Sequence, residues 1–348
     1  MFSNFRSLIF KIDPETAHNL AIKSLKFNFV PNVFDEDKDS PLFKTQLLNK
    51  SLDNPIGMAA GFDKNAEVYN SLFKLGFGFV EVGTITPLRQ YGNPKPRVFR
   101  LVEDEALINR LGFNNQGAVN IVNRIKSNRQ TGLLGINIGP NKDTDNRLHD
   151  YIECFKTFHE LADYITINIS SPNTEDLRNF HEYKKLNELL KTIDDEKNIL
   201  NSKIPIAVKI SPDIDDQEID KICEVLLNNN VELIIVSNSS DATRDNLNNI
   251  QGHQKGGLSG KPIEKKTTEL ISKFFKILKG KIKIIGVGGV DSADSAYDKI
   301  INGASLIQLY TGMVYRGPGI AKKISEDLNN IFKKQGVTNI SEIVGSKK

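Results

Sequence analysis

Short apolar runs alternate with longer amphipathic stretches along most of this chain. The runs span four to seven residues and are rich in Ile, Val, Leu and Phe, as at 204–210, where the letters read IPIAVKI. The stretches between them carry apolar residues at helical spacing. A continuously apolar run predicts a strand buried on both faces, and regular alternation of strands with helices predicts a parallel sheet.

The number of apolar runs indicates how this sheet closes. Eight candidate strands are present, at 54–59, 79–82, 133–138, 164–169, 204–210, 233–236, 282–285 and 306–309. Eight strands with intervening helices predict an α/β fold of the (β/α)8 TIM barrel type rather than an open, doubly wound sheet. Insertions at 86–110 and 239–261 would lengthen the loops after the second and sixth strands, on the carboxyl-end face where such barrels bind their ligands.

The first forty residues follow a different pattern. Apolar residues recur at helical spacing up to residue 12, and Asp13, Pro14 and Glu15 then supply an N-cap, a first-turn proline and a first-turn acid for a second amphipathic helix. We therefore expect an N-terminal helical hairpin over residues 1–40 and a barrel domain over residues 41–340. From the residues alone, the hairpin either caps the barrel or contacts a membrane interface.

Composition narrows the class of protein. The chain has 348 residues, 39% hydrophobic and 26% charged, which is typical of a folded globular protein. Its 46 basic and 43 acidic residues are too evenly balanced to indicate a nucleic-acid partner. No apolar run approaches a membrane span, and the amino terminus lacks a signal peptide's apolar region, so we expect a protein in the cytoplasm or on the cytoplasmic face of a membrane. Cys154 and Cys223 lack metal-ligand spacing and are predicted to be buried free thiols.

Polar groups cluster where the predicted strands end. The stretch 168–174 places two amides and three hydroxyls directly after the fourth strand, and each needs a hydrogen-bonding partner if it is buried. A polar ligand could supply those partners. Lys209 lies near the end of an apolar run, where it could stabilise negative charge on a reduced cofactor or form a Schiff base. Lys64 has the same two possible roles and also suits a substrate carboxylate.

Glycines follow the seventh strand, at 286, 288 and 289. Glycine permits a positive φ angle and close approach of the backbone to a ligand. The segment 291–301 then begins a helix whose first N–H groups would favour an anion. In a barrel of this type the pattern predicts a phosphate site after strands seven and eight.

Several ordered motifs resemble one enzyme family. They are AAGFDKN at 59–65, VGTITP at 82–87, NPKPRVFRL at 93–101, INRLGFNNQG at 108–117, GINIGPNKDT at 135–144, INISSPNT at 167–174, GGLSGKP at 256–262 and GVGGVDS at 286–292. The chain resembles the class 2 dihydroorotate dehydrogenases, the quinone-dependent, membrane-associated branch.

The resemblance implies oxidation of (S)-dihydroorotate to orotate in de novo pyrimidine biosynthesis. FMN would be the bound hydride acceptor, taking hydride from substrate C6 at flavin N5 while a base removes the C5 proton, and a membrane quinone would be the final acceptor. The resemblance also implies a monomer with peripheral contact at the cytoplasmic face of the cell membrane, and no metal.

Site residues follow by matching motifs. Ser171 falls on the family's base position, where the soluble class 1 enzymes use cysteine, and Thr174 and Phe113 would line a proton relay. A serine hydroxyl needs activation to act as a base. The implied substrate contacts are Lys64, Asn109, Arg110, Leu111, Gly112, Phe113, Asn168, Asn173, Asn238 and Ser239. The implied FMN contacts are Ala60, Gly61, Phe62, Asp63, Lys64, Thr84, Asn137, Asn168, Lys209, Ser237, Gly260, Gly289, Tyr310 and Thr311.

The resemblance changes the interpretation of the amino terminus, because in this branch the N-terminal helices form a hydrophobic tunnel for quinone. His18, Arg100 and Tyr310 match polar positions of that tunnel. The candidate apolar contacts with either the tunnel or the bilayer are Phe2, Phe5, Ile9, Leu20 and Leu25.

Three alternatives remain open from the sequence. A flavin-free lyase or aldolase would use Lys209 or Lys64 as a Schiff-base nucleophile on a phosphorylated substrate. A catalytically silent, membrane-associated binding protein would retain ligand affinity without turnover. A soluble class 1 dehydrogenase is a closer rival, but Ser171 and the N-terminal segment argue against it.

Overall fold

The computed structural model describes residues 2–27, 45–48, 50–52, 54–174, 176–242, 244 and 246–347. Within these residues, the strands in chain order are β1 (Thr45–Leu47), β2 (Lys50–Leu52), β3 (Ile56–Met58), β4 (Phe79–Ile85), β5 (Val98–Leu101), β6 (Ala106–Asn109), β7 (Leu133–Ile138), β8 (Tyr164–Asn168), β9 (Ile206–Lys209), β10 (Leu233–Val236), β11 (Gly257–Gly260), β12 (Lys283–Val287) and β13 (Ala304–Leu309).

Eight of these strands close into a parallel barrel in the order β3-β4-β7-β8-β9-β10-β12-β13. Each lies on one of the predicted apolar runs, so the (β/α)8 prediction is confirmed. Strands β4, β7, β8, β9 and β10 are buried at every position, as expected for strands covered by side chains on one face and by helices on the other.

The helices in chain order are α1 (Phe2–Ile9), α2 (Pro14–Lys26), α3 (Tyr69–Lys74), α4 (Ala118–Ser127), α5 (Arg147–Phe158), α6 (Tyr183–Ile199), α7 (Asp216–Asn228), α8 (Glu264–Leu278), α9 (Ala293–Ile301), α10 (Thr311–Arg316) and α11 (Ile320–Gln335). The two cysteines are buried free thiols on α5 and α7, as predicted. No helix of the described residues is long and apolar enough to cross a membrane.

An apolar layer closes the amino-terminal end of the barrel. Phe79, Leu133, Leu233 and Leu306 point into this layer from four different strands. The β1–β2 hairpin adds Leu47 and Leu52 from below. This end of the barrel is therefore packed core, and a binding site must lie at the opposite end.

The two predicted insertions do lie at that opposite end, but they contain structure that the sequence pattern did not indicate. Strands β5 and β6 form an antiparallel hairpin within the first insertion, and β11 from the second insertion pairs with β6. The resulting three-stranded sheet covers its own small apolar cluster around Leu101, Ile108 and Ile263. It forms a roof over one side of the barrel mouth.

The N-terminal helices pack beside this roof. The Asp13 side chain accepts a hydrogen bond from the backbone N–H of Thr16, and Pro14 occupies the first turn of α2, so the predicted cap is confirmed. Glu15 pairs with buried Arg97, with Oε1 and Nη2 2.7 Å apart. The expected boundary between residues 40 and 41 lies outside the described residues.

A buried polar group separates the apolar end of the barrel from its mouth. Glu81 on β4 is fully buried, and its carboxyl oxygens accept hydrogen bonds from Asn137 Nδ2 (2.8 Å), Tyr164 OH (3.0 Å) and Gln308 Nε2 (3.0 Å). These three donors belong to β7, β8 and β13. Glu81 thus links four barrel strands through side chains alone.

We expect Glu81→Ala to lower the free energy of unfolding by about 3–5 kcal/mol, because it leaves three buried donors without an acceptor. Equilibrium urea denaturation measures this change. Thr166→Val is the matched control, since the buried Thr166 hydroxyl has no hydrogen-bond partner among the described residues. Its removal should change stability by less than about 0.5 kcal/mol. Equal losses in the two variants would contradict the assigned role of Glu81.

Candidate active site

A pocket opens at the carboxyl ends of the barrel strands, beneath the three-stranded roof. Every barrel strand or the loop that follows it contributes to the wall or floor, except β7. Asn137 of β7 instead accepts a hydrogen bond from Thr84, which does line the pocket. The pocket brings together most of the residues predicted from motifs: Ala60, Gly61, Lys64, Thr84, Asn109, Leu111, Gly112, Phe113, Asn168, Ser171, Asn173, Lys209, Ser237, Asn238, Ser239, Gly260, Gly289, Tyr310 and Thr311.

A chain of hydrogen bonds rises from Glu81 to the pocket floor. Asn137 donates to Glu81 and accepts at Oδ1 from Thr84 Oγ1 (2.6 Å). Asn168 Nδ2 donates to Thr84 Oγ1 (2.8 Å), and Asn168 Oδ1 accepts from Ser170 Oγ (2.8 Å). The buried amides of these strands therefore satisfy one another, and their orientations are set before any ligand arrives.

The loop after β8 carries Ser171 into the pocket. Its Oγ accepts a hydrogen bond from the Asn173 backbone N–H at 3.2 Å. The Asn173 side chain crosses to the first insertion and donates to the Asn109 carbonyl oxygen at 3.2 Å. Arg178 holds the base of the same loop, since its Nε donates to the Ser170 carbonyl oxygen (3.3 Å) and its Nη2 to that of Ser239 (3.3 Å). Ser171 is thus a nearly buried hydroxyl on a well-anchored loop.

Two lysines line the pocket without a carboxylate at ion-pair distance among the described residues. Lys209 at the end of β9 is buried, and burial lowers the pKa of its ammonium group while the Glu81 carboxyl group opposes that shift. Burial also lowers the pKa of Lys64, to about 8; Glu15 opposes the shift and Arg97 adds to it. Each lysine therefore offers a positive charge to a ligand with an anionic group.

The glycine turn after β12 supplies backbone N–H groups to the same pocket. Gly288 and Gly289 have φ angles of +109° and +76°, and a Cβ atom on Gly289 would lie 2.4 Å from Glu264 Cβ. No hydrogen bond within the described residues occupies their N–H groups. Thr311 and Gly312 line the facing wall.

The predicted helix that follows this turn differs in detail. Helix α9 begins at Ala293, and its N-terminus is closed by a capping box between Ser292 and Ser295. The N–H groups of Asp291 and Ser292 also donate to the Ser295 hydroxyl (3.1 Å each). The helix terminus is therefore occupied by its own side chains, whereas the N–H groups of the glycine turn have no hydrogen-bond partner among the described residues.

Five residues predicted from motifs do not line the pocket. Asp63 caps the next turn, accepting from the N–H groups of Glu67 and Val68 at 2.7 Å each. The Arg110 guanidinium stacks on Phe99 and donates to Gln254 Oε1 outside the pocket. The remaining three are Phe62, Asn137 and Thr174.

A second cavity, of about 730 Å³, lies between the N-terminal helices and the roof. Of the residues predicted to contact the tunnel or the bilayer, Ile9, Leu20 and Leu25 line this cavity, Phe5 is exposed, and the side chain of Phe2 lies outside the described residues. Five residues line both cavities and form the wall between them: Lys64, Val98, Leu107, Leu111 and Tyr310.

The three polar residues predicted for the tunnel do meet at this second cavity. Tyr310 OH lies 3.4 Å from His18 Nδ1, and both rings pack edge-on against Phe62. Burial lowers the pKa of His18 to about 3, with Lys64 contributing in the same direction, so its imidazole is neutral. Arg100 Nη1 donates to the carbonyl oxygens of Phe10 and Ile12, whereas its buried Nε has no partner among the described residues.

Sequence reasoning missed two kinds of site residue. Glu81 has a detectable signal, because a charged residue inside the apolar run of β4 must find partners in the barrel interior. Val98 and Leu107 line the pocket from the roof, and their strands are only four residues long, too short to recognise by periodicity.

Comparison with known proteins identifies relatives over the whole chain. A family model described as dihydroorotate dehydrogenase matches residues 42–332. The dihydroorotate dehydrogenase (quinone) of Rhizobium rhizogenes is 43% identical over 356 aligned positions, covering 100% of this chain and 98% of the relative. The protein of the same name from Brucella ovis is 44% identical, covering 97% and 93%.

Solved structures give the same result. The crystal structure of DHODH from Eimeria tenella in complex with ferulenol superposes with a TM-score of 0.92 at 36% identity, covering 96% of this chain and 95% of that chain. The ligand-free form from the same organism has the same TM-score and covers 96% and 99%.

Proposed function

This chain belongs to the dihydroorotate dehydrogenase family, and we propose that its barrel-mouth pocket oxidises (S)-dihydroorotate to orotate, with FMN as bound acceptor and a membrane quinone as final acceptor. The observation that carries the proposal is the placement of Ser171 in a pocket lined by amides and two lysines. Amides pair with the alternating carbonyl and N–H edge of a pyrimidine, and lysines pair with anionic groups. The step belongs to de novo pyrimidine biosynthesis.

The residues present fit FMN. The free N–H groups of Gly288 and Gly289, in a turn too tight for a side chain, suit the phosphate. Buried Lys209 suits the electron-rich edge of the ring, and the fixed amide and hydroxyl groups of Asn168 and Thr84 suit its polar atoms. When bound, FMN supplies a two-electron acceptor that no side chain of the protein can provide.

The remaining polar wall suits dihydroorotate. Lys64 would pair with the substrate carboxylate, while Asn109, Asn173, Asn238 and Ser239 would hydrogen-bond the ring. Asn238 is oriented from behind, because its Nδ2 donates to Ser170 Oγ at 3.0 Å. Asn238 Oδ1 accepts from the Ser239 N–H at 2.7 Å. These contacts hold the substrate between the Ser171 loop and the barrel floor.

Ser171 would remove the proton from substrate C5. To do so, the Ser171 hydroxyl must give up its own proton as it accepts the one from C5, and the hydrogen bond from the Asn173 N–H to Ser171 Oγ would stabilise the negative charge that develops on that oxygen. Thr174 is buried on the same loop, and Phe113 lines the pocket; both are proposed to flank the route by which the proton reaches solvent.

The second cavity would bind the quinone. Its apolar lining from α2 suits a quinone ring and tail, and the unpartnered Nε of Arg100 and the neutral His18 suit the quinone oxygens. Tyr310, in the shared wall, contacts both cavities. Electrons could therefore pass from the flavin to the quinone across this wall while substrate and quinone occupy separate sites. Residues 1–40 would then help to bind the quinone, and residues 41–340 would bind FMN and oxidise the substrate.

The exposed side of this hairpin suits a membrane surface. Phe5, Leu8, Leu20 and Phe27 are each at least half exposed, and lysines of α2 lie beside them. Exposed apolar residues with flanking cations favour the interface of a membrane with anionic lipids. We therefore propose a monomer held peripherally at the cytoplasmic face of the cell membrane.

Ser171→Ala is expected to retain flavin but to slow its reduction by dihydroorotate about 10²–10⁴-fold, since the base is lost. Anaerobic stopped-flow absorbance of the flavin measures this step. Ser211→Ala is the control, because Ser211 is buried after β9 and does not line the pocket. Unchanged reduction in Ser171→Ala would remove Ser171 from the mechanism. A wild-type flavin that stays oxidised would reject the substrate, and a colourless protein would favour the lyase.

The affinity for orotate should weaken about tenfold between pH 7 and pH 9, because Lys64 is protonated below its pKa of about 8 and neutral above it. Titration of the flavin spectrum with orotate measures the dissociation constant. The Lys64→Met variant should bind orotate weakly at both pH values, and its dissociation constant should not rise between pH 7 and pH 9. An affinity that is independent of pH in the wild-type protein would contradict the pairing of Lys64 with the carboxylate.

Ala21→Trp should lower the rate of quinone reduction at least about tenfold by filling the second cavity, which Ala21 lines, while reduction of the flavin by dihydroorotate changes less than about twofold. Separate stopped-flow measurements of the two half-reactions test this. Val119→Trp is the control, on an exposed site of α4 that lines neither cavity. Equal loss of both half-reactions in Ala21→Trp would mean that the hairpin supports the fold rather than the acceptor.

A further inference from the structure

Lys299 on α9 is completely buried, yet no carboxylate of the described residues lies at ion-pair distance from it. Its Nζ donates to Thr267 Oγ1 (2.8 Å), Thr268 Oγ1 (2.9 Å) and the Glu264 carbonyl oxygen (3.4 Å). All three N–H groups have acceptors, but all three acceptors are uncharged. A buried ammonium with only neutral partners is uncommon, because its desolvation is incompletely offset.

Lys299 lies directly behind the glycine turn of the pocket. The Thr267 hydroxyl, which accepts from Lys299, has two acceptors within reach: the Gly288 carbonyl oxygen at 3.1 Å and the Glu264 carbonyl oxygen at 3.0 Å. A Cβ atom on Gly288 would lie 2.7 Å from the Thr267 methyl group, so the turn and the first turn of α8 are in close contact. The aliphatic part of the Lys299 side chain packs beneath Gly286, since a Cβ atom added to Gly286 would lie 3.4 Å from Lys299 Cδ.

This arrangement has an electrostatic consequence on the pocket side of the turn. The Gly288 carbonyl points back toward Thr267, and the N–H groups of the turn are left free for the pocket. A positive charge behind the turn adds to the field of those N–H groups, and it is separated from the turn by the buried Thr267 side chain. Burial lowers the pKa of Lys299 to about 7, so a nearby anion would help to keep it charged.

We propose that Lys299 is a positioning residue for the phosphate of the flavin, acting through Thr267 on the Gly288–Gly289 turn and through its charge on the phosphate. The proposal rests on FMN being the cofactor, as in the proposed function. Lys299 would then decide between flavins: it favours FMN, which carries the phosphate, over riboflavin, which has the same ring without it.

The test measures binding of FMN and of riboflavin to the flavin-depleted protein, by quenching of flavin fluorescence. Lys299→Met keeps the stem and removes the charge, and should weaken FMN binding about tenfold while changing riboflavin binding less than about twofold. Thr267→Val removes the link to Gly288 and should shift the preference in the same direction. Thr268→Val is the matched control, because Thr268 contacts Lys299 but not the turn. The preference of this variant for FMN over riboflavin should stay near that of the wild type.

Other results would overturn the inference. An unchanged ratio of FMN to riboflavin affinity in Lys299→Met would do so, and so would an equal loss of both flavins, which is the result expected of a purely structural lysine. If Lys299→Met fails to fold, Thr267→Val decides by the same ratio. A wild-type protein that binds FMN but prefers it no more than riboflavin rejects the role of Lys299 and the phosphate site at the glycine turn, whereas one that binds neither flavin rejects the proposed cofactor as well.

Discussion

The hydrogen-bonded position of Glu81 is the constraint on which the site depends. One carboxyl group joins β4 to β7, β8 and β13 and marks the level at which the barrel interior changes from apolar to polar. Below it, large side chains fill the barrel. Above it, Asn137, Thr84 and Asn168 are held by a chain of hydrogen bonds that begins at this carboxyl group. Because these side chains hydrogen-bond one another, the network also fixes the floor on which the cofactor would lie.

The placement of two cavities on either side of one wall follows from the roof and the N-terminal helices together. The roof strands β5 and β6 supply Val98 and Leu107 to both cavities, and Tyr310 completes the wall from the end of β13. Arg97 and Arg100, on the same roof hairpin, fasten the N-terminal helices through Glu15 and the carbonyl oxygens at the end of α1. The β5–β6 hairpin thus covers one cavity and helps to line the other, an arrangement that would keep a polar substrate and an apolar acceptor apart but close together.

The sequence predicts the barrel and most of the pocket because both depend on local signals. Each barrel strand is a continuous apolar run, and the polar residues that follow it, such as Ser171 and Asn238, meet at one rim as a consequence of parallel topology. Two places where the structure differs from the expected arrangement have a common physical origin in competition between local partners. Asp63 and the start of α9 carry groups suited to a ligand, but nearby backbone N–H groups and Ser295 occupy them first. Such competition depends on loop geometry, which residue spacing does not encode. The roof strands are too short to show a period, and Lys299 looks like an ordinary helix lysine until its burial is known.

Three lysines surround the pocket, and none has a carboxylate at ion-pair distance among the described residues: Lys64, Lys209 and Lys299. Burial lowers the pKa of all three, which means that the folded protein keeps each positive charge at a cost in free energy. Under the proposed function, each cost would be offset by a different negative group of the ligands: the substrate carboxylate for Lys64, the electron-rich ring edge for Lys209 and the phosphate for Lys299. The affinity of the pocket for a ligand would then depend on the ligand's negative charge as well as on its shape. A neutral molecule of the same outline would leave this cost without an offset from the ligand, so the proposed function implies selection for anionic ligands.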